Sequence, residues 1–386
     1  MNESQCDVAI IGGGPVGAAL ALALQGNGLQ VVLLEARESE VNTTDPRALA
    51  LSYGTRLLLQ RLGAWEALRD VSAIKVIEVT QKNSTGLTTL RAQEMGVEEM
   101  GYVLPYTLLH GALQKGLANS DVKCIYGARV SELRHTHDAA VIEYQHQGQS
   151  HTLTARLAVA ADGGKVLEVA HPPQITDYGQ SGVIAHVLTA QASTGKAFEH
   201  FTPQGPMALL PYLDGYELVL TATHDAAQDM LTWDDAQFLA YLHNHFGNRV
   251  GDFLSIGKRS CYPLRLKRAP DITFSHTALI GNAAQTLHPV AGQGFNMGIR
   301  DAWELAQVIL DSAPENIGSA AMCAAYRQSR RLDRNAGIRF TDGLVRLFSN
   351  DAPLLGRLRS AALTVLDTLP VARKFVAKRM MFGANG

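Results

Sequence analysis

The chain has 386 residues, 46% of them hydrophobic and 18% charged, with a formal net charge of -2. That is an ordinary globular composition on a chain longer than one core supports, so two lobes are expected, and the balance of charge gives no basis for nucleic-acid binding. The charge is unevenly spread: from Tyr326 to Met381 there are 12 Lys or Arg against 4 Asp, a net of +8, while the remainder carries 22 basic and 32 acidic residues.

At the N-terminus, "MNESQCD" has no positive segment of the kind that opens a signal peptide. No charged residue occurs between Asp7 and Glu35, as in a membrane span, yet Gly12, Gly13, Gly14 and Pro15 interrupt the run and its apolar pattern changes there. "DVAIIGGGPVGAALALALQGNGLQVVLLEAR" reads instead as a buried strand from Val8 to Ile11, a glycine turn, a helix to about Gln25 and a second strand ending at Glu35. Within this βαβ unit the GxGxxG pattern falls on Gly12, Gly14 and Gly17. Gly12 serves the tight turn, Gly14 lets main chain approach a pyrophosphate, and Gly17 allows helix to pack on strand. An anion would sit at the helix N-terminus, where Pro15 stands, and Glu35 falls where an acid accepts hydrogen bonds from a ribose. A dinucleotide is the expected ligand.

The four cysteines, Cys6, Cys124, Cys261 and Cys323, are far apart and form no CxxC pair, which suggests neither disulfides nor a thiolate zinc site and fits a cytoplasmic protein. From about Ile175 to Leu266 short apolar runs alternate with turn signals, pointing to a mostly antiparallel second lobe. In "MALLPYLDGYELVLTAT" the expected two-residue turn is Asp214–Gly215. One face of that sheet would pack on a core and the other could roof a pocket. The HxH pairs His135/His137 and His243/His245 lack further ligands at suitable spacing, so no metal site is expected. In "LIGNAAQTLHPVAGQGFNMGIRDA" (279 to 302) a strand reaches Gly281 and Asn282, and a helix begins near Gly294. This is a second place where backbone can approach a ligand. A helix start there favours the negative charge that a flavin gains at N1 and O2 on reduction, a demand nicotinamide does not make.

Three motifs together, the GxGxxG, the "ADG" of Ala161, Asp162 and Gly163, and "GNAAQTLHPVAGQGFNMGIRDA", resemble the fingerprints of class A flavoprotein monooxygenases of the aromatic hydroxylase type. The "GNAAQTLHP" form, with Asn282 and Gln285 where most of that family has Asp and His, resembles the ubiquinone-biosynthesis hydroxylases. "DPRALALSYGTRLLLQRLGAW" (45 to 65), "FTPQGPMALLPY" and "YPLRLKRA" are similar to further family segments, so the likeness spans nearly the whole chain.

The resemblance implies an α/β fold: a Rossmann-like FAD-binding domain in three parts (1–75, 101–170, 269–340), a mostly antiparallel β-sheet substrate domain (76–100, 171–268) and a basic helical C-terminal region (341–386). It implies that Gly12, Gly14, Pro15, Gly17, Glu35 and Ala36 hold the ADP half of FAD, with Arg47 and Asp162 also near the cofactor. Gly281 and Asn282 would face the ribityl chain or pyrophosphate. Pro289, with His288 before it, and the segment Gly292, Gln293, Gly294, Phe295 and Asn296 would border the flavin ring. It further implies a transient NAD(P)H donor, O2, a C4a-hydroperoxyflavin and a polyprenylated phenol as substrate. No residue presents itself as the base for that phenol. Two departures stand out: Val166 and Val169 occupy the Ser and Arg places after the "ADG", which bears on donor docking, and Tyr106 opens the helix of "LPYTLLHGALQKGL" where many relatives have arginine. A flavin-dependent reductase and a non-catalytic flavin-fold subunit are the alternative readings. The segment 354–381 mixes apolar spacing with Arg357, Arg359, Arg373, Lys374, Lys378 and Arg379. It reads equally as an interfacial helix drawn to the inner membrane, a contact in a biosynthetic complex, or a helix capping the FAD domain.

Overall fold

A computed structural model describes residues 3–38, 45–82, 86–288, 292–348 and 367–384. The strand Glu3–Ile11 lies between Gln149–Ala160 and Val31–Glu35, parallel to both, with Val8 opposite Leu157 and Val31. Its side chains alternate between two cores. Val8 and Ile10 join the cluster that holds Leu20, Leu24 and Ile299, while Ala9 and Ile11 join the one holding Ile142 and Leu153. Burial on both faces explains why this stretch reads as a continuous apolar run. The sheet runs Thr273–Phe274, Thr277–Leu279, Gln149–Ala160, Glu3–Ile11, Val31–Glu35, Lys123–Tyr126, and an antiparallel arm formed by Arg129–His135 and Ala140–His146 leaves Gln149–Ala160. Among the described residues no helix is long and apolar enough to cross a membrane.

A second sheet is mostly antiparallel: Gln285–Thr286, Ser260–Arg268, Gln174–Thr189, Gly215–Thr223, Gly205–Tyr212, Lys196–Thr202, Val76–Gln81, Leu87–Arg91. Its odd and even positions divide between two faces, with Phe198 of the core face also reaching the cavity. Val183, Phe198, Met207, Leu209, Leu218 and Leu220 pack with Phe238, Leu242 and Phe246 of the helix Asp235–Phe246. The opposite face, with Ile184, Ala197, Glu199, Ala208, Leu210, Glu217 and Val219, looks into a cavity. The mixed α/β architecture expected from the sequence is therefore present. The tight turn differs by one residue. Tyr212 pairs with Gly215, so the loop is Leu213–Asp214, with Leu213 at φ 51. Gly215 is glycine for another reason, because a Cβ there would lie 2.2 Å from the Val187 carbonyl oxygen of the neighbouring strand.

The helix Gln293–Leu310 crosses Pro15–Leu24 where Gly298 removes bulk: a Cβ would stand 2.9 Å from the Val16 side chain and 3.1 Å from Gly281 Cα. On its other side lies the helix Ala320–Phe348. The C-terminal helix Pro370–Phe382 packs on Tyr53–Arg61, with Phe382 edge-on to Tyr53 at 5.8 Å and Gly54 leaving room for the Met381 carbonyl. For this helix, the domain-capping arrangement is the one observed; residues 354–366 of the basic segment lie outside the described residues. Much of the segment's positive charge is consumed internally. Arg330 is 1% exposed between Asp301 and Asp333, Arg327 pairs with Asp271, Arg334 bonds Gln285, and Arg373 pairs with Glu94.

Candidate functional site

The cavity between the two sheets measures about 830 Å3, at the large end of ligand sites, which run roughly 300–1,000 Å3. Two helix N-termini open into it. Pro15–Leu24 is capped by Gly14 and Gln293–Leu310 by Gly292, which sits at φ 59 in the left-handed region. Neither helix has a side-chain cap or an acid in its first turn, so the first-turn N–H groups keep their positive end for a ligand.

The glycines act differently. A Cβ on Gly17 would lie 2.0 Å from the Gly12 carbonyl oxygen, and one on Gly12, whose φ is 109, would meet Ala161 at 2.8 Å. A Cβ on Gly14 or Gly294 would meet nothing within 4 Å. Gly12 and Gly17 thus bring the turn close to its neighbours, while Gly14 and Gly294 border open space. An extended anionic nucleotide fits this cradle, with one uncapped helix start near each end.

Gly14, Pro15, Arg47, Asp162, Gly281, Asn282, Gly292, Gln293, Gly294, Phe295 and Asn296 line one cavity although the sequence places them in four separate stretches. Several are held by protein partners. Asn296 accepts from the Ser52 N–H at 2.8 Å and donates to the Ala50 and Gly292 carbonyls, clamping the helix start to the strand Ala48–Ser52. Asp162 accepts from the N–H groups of Gly164 and Val166, shaping the turn after the strand. Arg47 donates to Asp45 at 2.8 Å and lies over the Tyr106 ring at 5.7 Å. Gln293 donates to the Met380 carbonyl, joining this wall to the C-terminal helix. Asn282 is exposed toward the cavity.

Glu35 and Ala36 are not on the cavity wall. The Glu35 carboxylate accepts from the Gly13 N–H at 2.6 Å and from Arg37 at 2.9 Å. Burial pushes its pKa up, but the Arg37 and Gly13 hydrogen bonds outweigh this and hold it below the usual carboxylate range. His288 is 1% exposed, edge-on to Tyr178 at 5.5 Å, and burial lowers its pKa to about 4, so it stands neutral. Pro289 lies outside the described residues. Val166 packs on the core, whereas Val169 is 97% exposed. Among the described residues no group of three His, Cys, Asp or Glu side chains is disposed to hold a metal.

Four acids in this region escaped sequence reasoning. Asp301, in "GIRDA", accepts from the Gly281 N–H at 3.0 Å, from Gln285 at 2.8 Å and from Arg330 at 2.8 Å, so it fixes the second glycine bend from beneath. Asp333 continues the network, bonding Arg330, Arg300 and the Ala384 N–H. Burial raises its pKa, but Arg300 and Arg330 prevail and hold it down at about 2. Glu217 lies in the cavity ceiling, where burial raises its pKa to about 7 against the opposing hydrogen bond from the Ala48 N–H. Glu199, a fourth acid, shares that ceiling. A signal existed in sequence: each of the two glutamates alternates with apolar residues on its strand, Glu199 between Ala197 and Phe201 and Glu217 with Val219.

The model of the FAD binding domain family matches residues 5–341. The ubiquinone hydroxylase UbiL of Rhodospirillum rubrum is 33% identical, with 98% of this chain and 90% of that protein covered. The 3-demethoxyubiquinol 3-hydroxylase of Escherichia coli is 29% identical, covering 98% and 99%. Among solved structures, p-nitrophenol 4-monooxygenase PnpA from Pseudomonas putida superposes with a TM-score of 0.80 at 18% identity, covering 99% of each chain.

Proposed function

This chain belongs to the FAD binding domain family and is a flavin-dependent monooxygenase; on that premise we propose that it hydroxylates the aromatic ring of a polyprenylated phenol in ubiquinone biosynthesis, drawing electrons from NAD(P)H and oxygen from O2. The observation that carries this reading is the continuity of one cavity. It begins at the two uncapped helix starts and ends among Ile77, Leu90, Met100, Met380 and Met381, an apolar pocket suited to an isoprenoid.

FAD, when bound, supplies the transfer of electrons from nicotinamide and the activation of O2. The chain's own share is positional. Gly14 and the first turn of Pro15–Leu24 would hold phosphate oxygens through main-chain N–H groups, and Gly292 to Phe295 would offer a second set of N–H groups to the ring's acceptors. Asn282 offers an uncharged hydrogen-bonding head beside them. The sheet above, closed by the C-terminal helix, keeps water from the reacting ring.

Attachment to a membrane surface belongs to the same proposal. Val371 and Phe375 are 82% and 60% exposed on the helix that closes the apolar end, next to exposed Lys374 and Lys378. These side chains suit shallow insertion into an anionic leaflet, from which a prenylated substrate reaches the cavity. Flotation with anionic vesicles is expected for the parent protein and lost in the Val371→Asp/Phe375→Asp variant; equal flotation of both removes this part of the proposal.

The enzymatic reading is tested by supplying the FAD-loaded protein with NADH or NADPH, isotopically labelled O2 and a short-chain prenylated phenol. One labelled oxygen in the ring is expected. Reduced flavin that returns only peroxide would favour a reductase. Complementation of strains blocked at each ring hydroxylation assigns the position.

A further inference from the structure

Around Glu199 the ceiling of the cavity is apolar, with Ile184, Ala197, Ala208, Leu210 and Val219; its other polar side chains are Glu217, Thr221, Tyr262 and Arg265. Glu199 lies on the strand Lys196–Thr202, with Ala208 opposite it on one side and Val79 on the other. The next residue in that row is Val219. Among the described residues no hydrogen bond or ion pair engages the Glu199 carboxyl. Its partial exposure is exposure to the cavity it lines. Glu217 is different, because its carboxyl already accepts the Ala48 N–H. The two belong to different rows, Glu199 with Ala208 and Glu217 with Leu210, so they do not form a shared-proton pair.

A carboxyl without a partner in an apolar wall costs stability and gives none back unless a ligand meets it. We infer that Glu199 is the base for the phenol: its carboxylate accepts the ring hydroxyl and takes that proton as the ring is attacked. This rests on the hydroxylase reading above. In the step, the phenol O–H bond breaks, the proton passes to a Glu199 oxygen, and the bonding pair stays on the phenolate oxygen, raising electron density in the ring. No electron changes hands. The ring carbon that gains the hydroxyl then loses its own hydrogen as a proton to water, its C–H bonding pair restoring the aromatic ring, and Glu199 returns the first proton to the product's phenolate oxygen, so the residue ends as it began.

Burial alone raises the Glu199 pKa from 4.5 to about 8, which places it between a carboxylic acid and a phenol and suits reversible exchange near neutral pH. The groups that could alter this are few. On the same sheet they are Glu217, Tyr212, Tyr262 and Arg265; on the facing walls they are Arg47, Tyr106, Asp162 and Lys165. Arg47 is paired with Asp45 and Arg265 with Asp177, and Asp162 is held by main-chain N–H groups.

The test uses the full chain loaded with FAD and a methoxyphenol carrying a single isoprenyl group, with ring hydroxylation followed against pH. For the parent protein, kcat/KM should rise with pH to a plateau, with a midpoint near the Glu199 value. Glu199→Gln should bind FAD in equal amount, lose that limb and fall by roughly a hundredfold in kcat, since a positioned base contributes about 10² to 10⁴. Only the phenol's own ionisation, far to the alkaline side, should then remain. Glu199→Asp should keep the limb with a partial loss of rate, which separates base chemistry from misfolding. A Glu199→Gln protein that retains FAD, the parental rate and the parental pH profile overturns the inference and leaves the hydroxylase reading intact. A parent protein that takes up no FAD, or incorporates no oxygen, overturns both.

Discussion

On the floor of the cavity, Gly14, Gly281, Gly292 and Gly294 present main chain, with Gly12 and Gly17 packed behind them; on the ceiling, the strands of the second sheet present side chains, among which Glu199 and Glu217 are the carboxyl groups. Where the floor's own turns meet, at Gly12 and Gly17, there is no room for an added Cβ. A site can therefore divide its labour. In the function proposed above, backbone geometry would recognise the cofactor, which is constant, and side chains would recognise the substrate.

That contrast can be broken most severely at Gly17. Gly17→Val places a Cβ 2.0 Å from the Gly12 carbonyl oxygen, and we expect little folded protein, read from soluble yield and far-ultraviolet circular dichroism. The corresponding insult to the ceiling, Ala208→Val, should give a folded protein that still binds FAD.

Asp301→Ala comes next. It leaves the buried Arg330 guanidinium with Asp333 alone and frees the Gly281 N–H, and removing one partner of a buried ion pair costs up to about 3–5 kcal/mol. A denaturant titration should show that loss, with weaker FAD retention. Asp301→Asn should lose less, because it keeps an acceptor for the Gly281 N–H.

Glu199→Gln sharpens the comparison through pH. The folded pKa of Glu199 lies above its ordinary value, so the folded state holds a proton that the unfolded state releases between pH 4.5 and about 8. The folded state binds more protons in that window, so parental stability falls as pH rises through it. Glu199→Gln removes this dependence. It should match the parent near pH 4 and exceed it by about 1–2 kcal/mol near pH 9, a few degrees in melting temperature, as for relief of an unpaired buried group. A glutamine that melts below the parent at high pH would show that Glu199 has a partner.

The smallest effect is expected for Asn282→Asp, which restores the acid most of the family carries at an exposed place on the cavity wall. FAD affinity should change by less than about threefold, since both side chains present a hydrogen-bonding oxygen there.

How much was legible follows from the same division. The floor was readable because each glycine in GxGxxG encodes a local backbone requirement that does not depend on distant residues. The alternation of the second sheet was readable too, but not its consequences. Period two shows that Glu199 and Glu217 share a strand face with apolar residues; it does not reveal that the face looks into a cavity, which depends on how strands far apart in sequence pair. The turn at Leu213–Asp214 was misplaced because Gly215 suggested turn chemistry, while the contact that requires it is with Val187 on another strand. Asp301 went unnoticed because a charged residue on a helix usually faces solvent; here Arg330, from a helix nearly thirty residues later, meets it in the interior. The basic C-terminal count was real, yet composition alone could not say that Arg330 and Arg373 have internal partners.

The most direct test of the account is an FAD titration of the apoprotein, parent against Gly14→Leu and Gly294→Leu, with circular dichroism as the check on folding. The parent should take up one FAD per chain, and each leucine, projecting into space where a Cβ now meets nothing within 4 Å, should weaken uptake by at least about a hundredfold in a folded protein. Parental affinity in both variants, or a parent that binds no flavin, would contradict the claim that these two bends hold one nucleotide between them.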